Sequence, residues 1–143
     1  MSNKVAEALA LIKSGQASCV VIKNGEIVKT VNGRGIKPIV NMYDEGILCD
    51  TTVVDKVVGR ASAMVMALGG VQCCYAVLVS ESAKAFFEAN GIALEYENIC
   101  EYIVNRTRDG RCPMESAVQG IDDPKEALIA VKKKLFELSD PKN

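Results

Sequence analysis

The chain has 143 residues, close to the commonest size of one domain, with 49% hydrophobic residues, 24% charged residues and a net charge of -1. These values exclude a second full-sized domain, a disordered or collagen-like chain, and a strongly basic binder of nucleic acid polymers. The sequence holds no histidine and six cysteines, which excludes Ser-His and Cys-His nucleophilic pairs, His-ligated catalytic zinc and any imidazole pH switch. Carboxylate, lysine, arginine, thiol and backbone chemistry remain.

Met1 leads into the polar Ser2, Asn3 and Lys4, without the apolar core of roughly 7 to 15 residues that a signal peptide needs. No run approaches about 18 uninterrupted apolar residues. A cytoplasmic, reduced setting without membrane association is expected. No CxxC occurs, and Cys73-Cys74 lies in an apolar strand-like run whose neighbours point to opposite faces. Five of the cysteines read as small core residues, and no metal or other cofactor is expected.

In chain order, Val5, Leu9 and Ile12 recur at helical spacing and Gly15 follows as a stop. Ser18 to Lys23 and Glu26 to Val31 are β-rich and flank Asn24-Gly25, a strong hairpin signal because both residues accept positive φ. After the Gly33-Arg34-Gly35 loop, Pro38 opens a short helix to Tyr43, closed by Gly46. Thr52-Val53-Val54-Asp55 has capping-box spacing, and Val53 to Leu68 reads as a helix buried on more than one face. Gly69-Gly70 ends it. A strand over Val71 to Ser80, a helix over Glu81 to Asn90 and a strand over Ile92 to Glu97 follow, with Tyr102 to Asn105 as a short last strand. Cys112 occupies the cap position of another helix start, with Pro113 in its first turn. In the last helix Asp123 caps, Pro124 sits in the first turn, and Leu128, Val131, Leu135 and Leu138 make the stripe. The order implies a single α/β domain over 1–143, with a mixed sheet covered by helices.

Two segments carry candidate chemistry. In Asp55-Lys56-Val57-Val58-Gly59-Arg60, charges crowd the first turns of an apolar helix, with Lys56 and Arg60 on one face. Two cations there oppose the helix dipole unless an anion is held at that terminus, although a carboxylate cap with a solvated edge fits the same residues. In Asn105 to Glu115, Arg106, Arg108 and Arg111 precede the helix start, which suits an arginine-lined anion cradle or a capped turn in water. A thiol at Cys112, beside Arg111 and the helix amides, would favour thiolate, opposed by Glu115. Lys132-Lys133-Lys134 suits the C-terminal end of the last helix.

DKVVGRASA (55 to 63) together with NRTRDGRCPMES (105 to 116) resembles a small prokaryotic domain-of-unknown-function family with a cytidine-deaminase-like fold, the match running from about Ser18 to Asp123. The resemblance implies a three-layer α/β domain with a mixed sheet of four to five strands, an antiparallel hairpin first and parallel strands after it. Zinc deaminases carry a His/Cys-x-Glu motif and a Pro-Cys-x-x-Cys motif at two helix starts. Here those positions fall near Asp55-Lys56-Val57 and Ser80-Glu81-Ser82-Ala83-Lys84, so the scaffold is implied and hydrolytic deamination is not. The implied pocket lies near Asp55, Lys56, Ser80, Glu81 and Cys112.

The leading expectation is a zinc-free protein that binds a small anionic molecule such as a nucleotide or nucleotide derivative. Lys56, Arg60, Arg106 and Arg111 would hold its charge, Asp55 would orient Lys56 or a ligand hydroxyl, and Ser80, Glu81, Asn105 and Glu115 would line the pocket. A thiol-dependent enzyme or sulfur carrier uses Cys112 instead, with Asp55 and Lys56 moving protons. The third reading is a non-catalytic interaction module that self-associates, for instance as a homodimer.

Overall fold

In a computed structural model describing residues 3–33, 35–104 and 110–139, the chain begins with α1 (Asn3–Lys13) and then the hairpin of β1 (Cys19–Lys23) and β2 (Glu26–Val31). Asn24 and Gly25 turn the hairpin with φ of 53° and 76°, the left-handed region that a tight two-residue turn requires. Next come α2 (Lys37–Asp44), β3 (Thr52–Val58), α3 (Arg60–Gly69), β4 (Cys73–Ser80), α4 (Glu81–Ala89), β5 (Ala93–Cys100), α5 (Pro113–Ala117) and α6 (Pro124–Ser139). The five strands lie in the order β2-β1-β3-β4-β5. β1 is antiparallel to β2 and β3, and β3, β4 and β5 are mutually parallel.

Two apolar layers hold the sheet. On one face, Leu9 and Ile12 of α1 pack on Val20, Ile22, Val54 and Tyr75. On the other, Val21, Val53, Cys74 and Ala76 meet a larger core containing Met42, Met64, Val65, Phe87 and Val131. There α3 is the central helix and touches α2, α4 and α6. Burying a side chain as fully as Phe87, which is 0% exposed, contributes about 1.5–3 kcal/mol. Among the described residues no helix is long and apolar enough to cross a membrane.

The expected helix over Val53 to Leu68 is two elements. Thr52 to Val58 is the middle strand, and the helix starts only at Arg60, after extended Gly59 with φ -99° and ψ 179°. The Thr52–Asp55 capping box therefore does not exist, and Lys56 and Arg60 do not share a helix face. The fifth strand is β3 and not Tyr102 to Asn105: Val104 makes only an isolated bridge to Arg111, and Asn105 lies outside the described residues. The stripe of α6 holds at Val131 and at the half-buried Leu128 and Leu135, while Leu138 is exposed. Cys49 is exposed and so is not a core residue.

Candidate functional site

Parallel register brings the ends of three strands together. Val57 pairs with Leu78 and Leu78 with Asn98, and one step on, Val58 pairs with Val79 and Val79 with Ile99. Beyond them stand Gly59, Ser80 and Cys100. In open α/β sheets this carboxyl edge is where ligands are received.

At this edge the first turn of α3 is closed from within the chain. The Arg60 N–H donates to Glu115 Oε1 at 2.6 Å and the Ala61 N–H to Oε2 at 2.9 Å. Glu115 thus satisfies two orphan amides and sets a negative charge against the positive end of the helix. The approach is available because residue 59 is glycine, since a Cβ there would overlap the Glu115 carboxylate. Arg60 answers in the opposite direction. Its guanidinium donates to the Val118 and Ile121 carbonyls at 3.3 and 2.7 Å and to Asp122 at 2.9 Å, so α3 and the turn after α5 cap one another.

Asp55 lies in β3, directly across from Cys19 of β1 and beside Ala76 of β4. It is 9% exposed. Its carboxylate accepts the Lys56 N–H at 2.8 Å and is also bonded by the Val57 amide. Burial raises its pKa from 3.8 to about 7, against the lowering effect of those two amides. Burial first, and the Asp55 charge second, push the Cys19 and Cys74 thiols well up. Lys56 is exposed, and Asp55 meets its backbone amide. The carboxylate expected to orient the lysine ammonium accepts that residue's backbone N–H instead.

Ser80 accepts the Ala83 N–H at 3.1 Å and so caps α4, with Glu81 exposed in the first turn where the dipole favours it. Burial, then the charges of Glu115 and Glu81, raise the Cys100 thiol, which places these carboxylates around the end of β5. The segment after β5 folds back: the Cys112 N–H donates to the Ile103 carbonyl at 2.9 Å, and the Arg111 guanidinium stacks over the Tyr102 ring at 4.9 Å. Cys112 caps α5 without a side-chain hydrogen bond and packs half-buried against the main core. Asn105, Arg106 and Arg108 lie outside the described residues. Among the described residues no three histidine, cysteine, aspartate or glutamate side chains gather as a metal-binding group.

The model of the family described as Domain of unknown function (DUF1893) matches residues 7–135. The chain belongs to this family. A solved DUF1893 protein from Thermotoga maritima is similar over 94% of this chain and 92% of its own, with a TM-score of 0.83 and 23% identity. That likeness shows the fold alone. No curated protein matches the chain.

Of the residues singled out from the sequence, this DUF1893 chain gathers Arg60, Glu115, Ser80 and Glu81 at the carboxyl edge and seats Arg111 beside it. Asp55 is separated from them by burial inside the sheet. The Glu115 contact joins residues 54 and 55 positions apart, a distance that local spacing does not report. Tyr102, which stacks under Arg111, and Cys100, at the end of β5, were not among the residues singled out. An aromatic residue close to an arginine cluster is the signal that would have found Tyr102.

Proposed function

We propose that this DUF1893 protein binds a small anionic ligand with a planar apolar part, such as a nucleotide or nucleotide derivative, at the carboxyl edge of β3, β4 and β5. The observation that carries the reading is Arg111 stacked over Tyr102, just past the end of β5, where Ile99, Tyr102 and Val104 are all exposed. A guanidinium lying on an aromatic ring keeps its donor rim available for a phosphate or carboxylate, and exposed apolar side chains suit a base. The α3 amides are taken by Glu115, so the ligand's charge is met by side-chain cations, Arg111 first and Lys56, next to Val57, second. The mixed strand order supports a deaminase-like scaffold. The zinc-deaminase motifs are missing from the sequence, so the reading involves no deamination. Calorimetric titration with nucleoside monophosphates and with inorganic phosphate tests it. Binding that weakens in Arg111→Ala and Lys56→Ala supports the site, and absence of binding by every nucleotide ends it.

A second reading, an interaction module that self-associates, is favoured by Ile129 and Phe136 on α6, which are 70% and 75% exposed and seven residues apart on one helix face. Light scattering of the wild type and of Phe136→Ser tests it, since a dimer lost in the variant supports it and a wild-type monomer ends it.

A further inference from the structure

We propose that the outer edge of β5 takes up an extended basic segment of a partner protein, which adds to the sheet as a further strand. The two ends of the sheet differ in kind. At one end the pairing of β2 with β1 shifts register between Val21 and Ile22, and a bulge of this sort spoils an edge for further pairing. At the other end β5 runs for eight residues, Ala93 to Cys100, and keeps one register along β4 from the Cys73–Ala93 pair to the Ser80–Cys100 pair. The Ala93 N–H donates to the Gln72 carbonyl at 3.3 Å. Alternation in the parallel ladder then turns the amides and carbonyls of Leu94 and Tyr96 away from β4, where no further strand lies among the described residues. Such a row is a template for an incoming strand, whose main-chain hydrogen bonds supply affinity.

The side chains along this edge decide which strand fits. Toward α1 stand Glu95, across from Tyr75 of the α1 layer, and Glu97, which takes the Lys13 ammonium at 2.9 Å. Glu95 is exposed and belongs to none of the ion pairs among the described residues. Glu101 follows just past the strand, and no lysine or arginine stands between residues 93 and 101. Toward α4, Leu94 joins the main core and Tyr96, 37% exposed, lies under the Lys84 ammonium. An incoming strand therefore meets carboxylates at alternate positions on one face and an apolar and aromatic surface on the other. Lysine or arginine at alternate positions, with apolar residues between them, matches both faces. A second copy of this chain does not, because antiparallel pairing of β5 with itself sets glutamates beside glutamates, which is destabilising. This edge uses neither Arg111 nor Tyr102, so it stands apart from the ligand site proposed above.

NMR titration of the isotope-labelled full chain tests it, with a synthetic peptide of alternating lysine and valine as the probe. The Leu94 and Tyr96 amides should shift saturably and exchange more slowly with solvent once the peptide is bound. Binding should weaken at least about ten-fold when glutamate replaces the peptide's lysines, and equally in Glu95→Lys, a change at an exposed position. A lysine-valine peptide with methylated backbone nitrogens keeps the charge and loses the donors, and should also bind at least about ten-fold more weakly. Equal binding of the methylated peptide would reduce the effect to charge alone and overturn strand addition. Equal binding by Glu95→Lys, or no shift at Leu94 and Tyr96, would overturn it as well. Protection of those two amides that grows with protein concentration in the free chain would assign the edge to a second copy and overturn the basic partner.

Discussion

Glu115 reaches the first two amides of α3 because Gly59 presents no side chain in its path. Gly59 is extended and has no need of left-handed freedom, so its requirement is purely one of space. An alanine there would adopt the same backbone and still displace the carboxylate. Gly59→Ala is expected to destabilise the fold by about 1–3 kcal/mol, since the Glu115 carboxylate at the end of a flexible side chain must shift and weaken its charge-assisted bonds to the two amides. Urea denaturation measures it. Because both substitutions remove one interaction, Gly59→Ala combined with Glu115→Ala should cost little more than Glu115→Ala alone.

Arg60 distinguishes a carbonyl cap from a surface ion pair. Its guanidinium serves two backbone carbonyls and Asp122, and Asp122 is fully open to solvent, its side chain 97% exposed. Arg60→Ala should cost about 1–3 kcal/mol, because the Ile121 carbonyl loses its donor, while the Val118 carbonyl keeps the Ile121 N–H. Asp122→Ala should change stability by under about 1 kcal/mol, as exposed ion pairs do. Equal effects of the two changes in thermal or urea unfolding would contradict this division.

The cysteines should react in order of exposure. With iodoacetamide and mass spectrometry, Cys49 is expected to label first, and Cys19 and Cys74 to stay unmodified until the chain unfolds, since both are buried with thiols pushed well up. Cys112, half-buried against the core, should label more slowly than Cys49. Rapid labelling of Cys112 at neutral pH would turn the account toward thiol chemistry.

The hairpin, β4, α4 and α6 were legible because each carries a local signal: Asn24-Gly25, a continuous apolar run closed by Ser80, the glycine after Asn90, and Pro124 after Asp123. β3 was not. It lies between β1 and β4 and is covered on both faces, so it lacks the alternation that marks a half-exposed strand, and Thr52 and Asp55 imitate a helix cap. The β-branched Thr52, Val53, Val54, Val57 and Val58 were the evidence for a strand. Misreading β3 moved Asp55 and Lys56 to a helix terminus that begins only at Arg60. Arg60, Ser80, Glu81 and Glu115, which meet at the carboxyl edge, each stood out in the sequence through the helix starts. Their wiring was not legible, because Glu115 crosses more than 50 positions to fill the place that an external anion was expected to take.

The claim that the carboxyl edge receives an anionic ligand is tested most directly by calorimetric titration of the wild type and Arg111→Ala with nucleoside monophosphates, inorganic phosphate alongside. The account predicts saturable nucleotide binding by the wild type, at least about ten-fold weaker in Arg111→Ala, which corresponds to about 1.4 kcal/mol. No binding by the wild type, or equal binding by the two proteins, would contradict it.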